Sequence, residues 1–71
     1  MDRAMWQRHL AVAERDVAEA QRHVTRQCQI VAELEQGGYD TTMARALRTH
    51  LEATLALHIK DRDQLQADLS R

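Results

Sequence analysis

No proline interrupts this chain, and its only two glycines stand side by side at positions 37 and 38. The sequence therefore has a single place where a long regular element can break. Phenylalanine is missing as well, and Trp6 and Tyr39 are the only aromatics apart from histidine. A sheet core is poorly supplied by such a composition. Cys28 is the sole cysteine, which excludes an internal disulfide, and no cysteine/histidine cluster has zinc-site spacing. No apolar run approaches the roughly 18–20 residues of a membrane span. The opening "MDRAMWQRHL" lacks the apolar core of a signal peptide. A formal charge of −1 supplies no strong field for nucleic acid or an anionic membrane. The expectation is a reduced, cytoplasmic protein with neither cofactor nor metal.

What is present favours helix. Runs of Ala, Leu, Glu, Gln and Arg fill both halves, and all are strong helix formers. The break "LEQGGYDTT" predicts helix from about 2 to 36, a turn at 37–40 and helix from about 41 to 70. Gly37 is expected to take the left-handed conformation that closes the first helix, with Asp40 or Thr41 capping the second. Tyr39 is placed to staple back towards Ala44. The predicted fold is all-α: one antiparallel two-helix coiled-coil hairpin over residues 1–71.

A heptad supports that hairpin. Leu10, Val17, Val24 and Val31 fall at position a of the first helix, and Trp6, Ala13, Ala20, Gln27 and Leu34 at d. In the second helix Ala44, Leu51, His58 and Leu65 fit a, and Leu47, Thr54, Asp61 and Asp68 fit d. Folding at the turn then sets Val31 against Leu47, Gln27 against Leu51, Ala20 against His58 and Val17 against Asp61, each an a–d layer of antiparallel type. On one flank Glu14 faces Arg62 and Cys28 faces Arg48. The other flank, built from g positions, collects Ile30, Met43, His50 and Leu57, while Ile59 falls on the outer b position. A lone hairpin would leave these apolar groups wet, and at 71 residues a single core is marginal. The expected partner is a second copy, completing a four-helix bundle.

The stretches "HLAVAERDVAEAQRHVTRQCQIVAELEQGGYDT" and "LEATLALHIKDRDQL" resemble short helical proteins of rhizobia and related alpha-proteobacteria that have no assigned activity. Their recurring phrases are similar to "AERHVAEGERHIARQREIVAELERDGHDT" and "ALHIADRDRL". The resemblance spans about His9 to Leu69. This chain departs at Asp16 and Tyr39, where those proteins tend to carry histidine, so a histidine cluster gains no support from it. The resemblance implies a helical protein and supplies no catalytic residues.

Several side chains invite chemistry. His9, His23, His50 and His58 could suggest a metal- or haem-linked sensor, but no pair has the three- or four-residue spacing of helical ligands. Arg8, Arg15 and Arg22 recur every seventh residue on the outer face, with Arg26 near. They define an alternative function, a nucleic-acid-binding bundle, although no aromatic is interleaved to stack bases. Cys28 beside Arg48 reads as a half-buried small hydrophobe rather than a reactive thiol. No loop builds a substrate pocket, so no catalytic residue is assigned. Trp6 reads as an end plug towards Leu69. His58, Asp61, Arg62 and Glu14 read as a polar device that sets register at some cost in stability. The leading expectation is a self-associating protein-interaction module.

Overall fold

The computed structural model describes residues 2–71. Helix α1 covers Arg3–Gln36 and helix α2 covers Thr42–Leu69, packed side by side as a hairpin. Among the described residues there is no strand. The rod measures 55 × 14 × 14 Å, and none of its helices is long and apolar enough to cross a membrane. Asp2 caps α1 by accepting a 2.9 Å hydrogen bond from the Ala4 amide.

The turn differs in one detail from the sequence reading. Gly37 keeps right-handed helical backbone, and Gly38 takes the positive φ of 74°. The Tyr39 amide donates to the Leu34 carbonyl at 2.9 Å, and the Gly38 amide donates to Glu35 at 3.1 Å. This pair of bonds is a Schellman motif, whose left-handed residue lies one position beyond the cap, and so falls on Gly38. At Gly37 a Cβ would stand 2.6 Å from the Tyr39 ring, which would have to shift to admit it. Tyr39 thus folds over the glycine, 68% exposed, and does not staple onto Ala44. Thr41 stands at the N-cap of α2 without a side-chain bond, and Asp40 before it accepts from the Thr42 amide at 2.9 Å and from the Thr42 hydroxyl at 2.7 Å. Those two bonds hold its carboxyl below the ordinary carboxylate value.

The inward face of α1 is Ala13, Val17, Ala20, Gln27 and Val31, flanked by half-buried Leu10, Val24 and Leu34. All are a or d positions of the heptad. Helix α2 is turned relative to expectation. Its half-buried line runs through Ala44, Arg48, Leu51, Leu55, His58, Arg62, Leu65 and Leu69, every a and e position, while the d column is split, with Thr54 and Asp68 half-buried. Leu47 and Asp61, expected in the seam, are exposed, and Ile59, expected outside, is half-buried. The physical reason lies in the d column. A seam centred on a/d would desolvate Asp61, which carries no hydrophobic stem to compensate. The e column offers Leu55, Leu69 and two arginines whose aliphatic stems can be covered while their heads reach water.

Two side-chain hydrogen bonds cross-link the helices. Gln27 Nε2 donates to the Ala44 carbonyl at 3.0 Å, and Arg3 Nη1 donates to the Leu69 carbonyl at 3.2 Å. Gln27 therefore anchors its amide on the α2 backbone at Ala44, and Asp61, expected opposite Val17, is exposed.

Two outcomes follow from the turn. Gly38→Ala should cost roughly 1–2 kcal/mol, the penalty of left-handed backbone for an L side chain, and more than Gly37→Ala, where the exposed Tyr39 ring can swing aside; chemical denaturation of both variants ranks them. Asp40 contributes stability above the ordinary carboxylate range, and that contribution disappears as pH falls through its lowered value. Thermal melts of wild type and Asp40→Ala should accordingly converge in acid.

Candidate interaction face

The expected polar device is assembled differently. His58 and Arg62 are half-buried in the seam, whereas Asp61 and Glu14 lie in the exposed set. Arg62 pairs with its neighbour Asp63 at 3.1 Å, not with Glu14 across the seam. The one buried polar side chain among the described residues is Gln27, whose amide donates to Ala44 as described. Sequence reasoning placed Gln27 at a d position without giving it that role. Its signal was available: it is the only uncharged polar residue in the a/d stripe of the first helix. No buried side-chain nitrogen or oxygen among the described residues lacks a partner.

The g flank is uncovered along α2, and Leu47 of the d column joins it. Met43, Leu47 and Leu57 are 82%, 46% and 65% exposed. With His50 and Thr54 between them they form one continuous line, because steps of four and three residues return to the same side of a helix. Ile30, placed on the same flank of α1, is half-buried. The stripe carries no charge from Met43 to Leu57.

Towards the open end, away from the turn, this flank deepens into a groove of about 600 Å³ between the helices. Its α1 wall includes Trp6, His9, Val12 and Asp16, and its α2 wall includes His58, Asp61, Leu65 and Asp68. Trp6 is thus a half-buried groove wall as well as an end residue, and its ring meets His9 edge-on at 6.2 Å between centroids. A smaller depression, lined by Asp16, Glu19, His23, Leu51, Thr54 and His58 among others, continues the groove towards the turn. The shared flank thereby gathers His9, His23 and His58, but no set of three or more potential ligands among the described residues could hold a metal ion.

On the opposite side, Arg8, Arg15 and Arg22 are exposed as anticipated for f positions. Arg22 and Arg26 border a shallow depression with Ala18, Gln21, Thr25 and Gln29. Cys28 is exposed rather than half-buried. Four surface ion pairs, Glu35–Arg45, Arg48–Glu52, Arg62–Asp63 and Asp68–Arg71, decorate the described residues, and pairs this exposed contribute little to stability.

Comparison with protein-family models, with curated proteins and with solved structures finds no match.

Gln27→Ala should destabilise the hairpin by roughly 1–2 kcal/mol, from a lost inter-helix hydrogen bond and the space left beside Ala44. Urea unfolding followed by circular dichroism provides the measurement; an unchanged midpoint would remove Gln27 from the set of residues that hold the register.

Proposed function

We propose that the chain is a self-associating helical interaction module, in which the g flank of one hairpin covers that of a second copy to make a four-helix bundle. The observation that carries this reading is the uncharged line Met43–Leu47–His50–Thr54–Leu57, exposed at every position but half-buried Thr54. It has the periodicity of a second coiled-coil seam on a helix whose first seam is already engaged.

Surface area supports it. The chain exposes 5331 Å², whereas a compact monomer of 8.2 kDa would expose roughly 4,500 Å² by the usual scaling. The surplus is about what each partner contributes to a standard interface, roughly 800 Å². Burial inside the hairpin is correspondingly thin. None of the side chains on α2 is fully sequestered, and the α1 core is two alanines and two valines around Gln27.

The stripe is also self-complementary. If two α2 helices run antiparallel about a two-fold axis, Leu47 meets the partner's Leu57 and Leu57 meets the partner's Leu47, with His50 and Thr54 paired between them. Each layer then joins a d position to a g position, the alternation an antiparallel seam requires. Burying those four leucines would contribute roughly 1.5–3 kcal/mol each, enough to decide the assembly state of a marginal fold.

Leu57→Glu should convert the assembly to monomer, while Ala56→Glu, one residue round the helix and outward-facing, should leave it intact; sedimentation equilibrium at micromolar concentration distinguishes them. A wild-type chain that sediments as a stable monomer would overturn the reading. The exposed arginine line supplies the competing account. Retention of RNA or DNA at physiological salt, lost in the Arg8→Gln/Arg15→Gln/Arg22→Gln variant, would transfer the function to α1; no retention is expected.

A further inference from the structure

The groove at the open end differs from the apolar stripe in its charge. Its floor and walls are hydrophobic, with Trp6, Val12 and Leu65 prominent, yet Asp16 rises from α1 and Asp61 and Asp68 from α2. None of its lining residues is a lysine or arginine. Asp68 is engaged by Gln64 at 3.1 Å and by Arg71 at 3.9 Å. Asp16 and Asp61 have no ion-pair or side-chain hydrogen-bond partner among the described residues. Two unneutralised carboxylates therefore stand on opposite walls of an apolar trough.

We propose that this groove receives a short amphipathic helix from a partner protein, with an apolar face seated on Trp6, Val12 and Leu65 and lysine or arginine side chains reaching Asp16 and Asp61. The length fits. The α1 wall runs from Met5 to Asp16, about 17 Å of helix at 1.5 Å per residue, or three turns. An open trough between two parallel rods is the geometry that accepts a third helix, in the manner of helix-in-groove recognition. Charge then selects among occupants. Nucleic acid and acidic lipid are repelled. The outward α2 stripe of a second copy is a poor match, because it is bordered by Ala46 and Ala53 and by Lys60 as its one cation. A basic amphipathic segment satisfies both the floor and the rim, and electrostatic complementarity of this kind decides which partner is admitted.

The proposal rests on the reading of the chain as an interaction module and names the partner class for it, but it uses residues 5–16 and 58–68 rather than the Met43–Leu57 stripe. The two therefore fail separately. Trp6 is the only tryptophan and lies in the groove, so its emission reports occupancy directly. The probe is a tryptophan-free synthetic peptide of about four turns, leucines on one face and lysines beside them, compared with the same peptide carrying glutamate for lysine. We expect a saturable blue shift with the lysine peptide and none with the glutamate peptide. Asp16→Asn/Asp61→Asn should weaken binding roughly tenfold or more, while Glu14→Gln/Glu33→Gln, which changes net charge equally away from the groove, should alter it less than about twofold. Circular dichroism verifies that both double variants remain helical, as residues without structural partners should allow. Equal binding of both peptides, equal loss in both double variants, or no saturable shift below roughly 1 mM would each overturn the proposal. Sedimentation of the same samples reports self-association independently: a dimer that ignores the lysine peptide sinks the groove alone, and a monomer that binds it sinks the stripe alone.

Discussion

Two helices lying side by side can hide only the strip along which they touch, and every other property of this protein follows from that constraint. The strip on α1 is made of residues no larger than valine and leucine around one glutamine. Small side chains allow close approach but remove little area from water, so the hydrophobic contribution of the hairpin taken alone is modest. Further large apolar groups lie elsewhere, at Met43, Leu47 and Leu57 and around Trp6. The molecule has partitioned its hydrophobic surface between holding itself together and facing outward.

The orientation of α2 shows how that partition is decided. Two stripes compete on this helix, one through Leu47 and Asp61 and one through Leu55 and Arg62, with Ala44, Leu51, His58 and Leu65 common to both. The difference between them is a rotation of one position. Arginine tolerates partial burial because its stem is apolar and its guanidinium can reach outward, whereas aspartate brings its charge close to the backbone. The chain adopts the stripe that keeps Asp61 in water. That same rotation turns Leu47 outward and extends the exposed apolar line, so avoidance of one buried carboxylate creates the surface on which assembly would depend.

Much of this was legible from the residues. Helix ends, the turn and the entire inward face of α1 follow from glycine placement and from a heptad in which only one face is apolar. The α2 face was not legible because hydrophobicity alone does not separate an a/d from an a/e stripe when each contains polar residues at several positions. Deciding between them requires weighing an aspartate against an arginine at the same depth. The positive φ at Gly38 rather than Gly37 was hidden for a related reason: adjacent glycines satisfy the same sequence rule, and only the Schellman bonds to Leu34 and Glu35 separate them. Of the interaction flank, Met43 and Leu57 were readable as outward apolar groups. The groove was not, since it depends on where the walls of α1 and α2 stand once their register is set.

The hairpin closes from one end. Near the turn the helices are joined by contacts only ten residues apart in sequence, as between Glu35 and Arg45, while Arg3 and Leu69 at the other end are separated by 66 residues. Closing a longer loop costs more entropy, so the pole bearing Trp6 is the last part to zip and the first to fray. Backbone amides should exchange with solvent along a gradient that rises from the glycine turn to the open pole. The groove walls, residues 5–16 and 58–68, thus lie towards the pole that closes last.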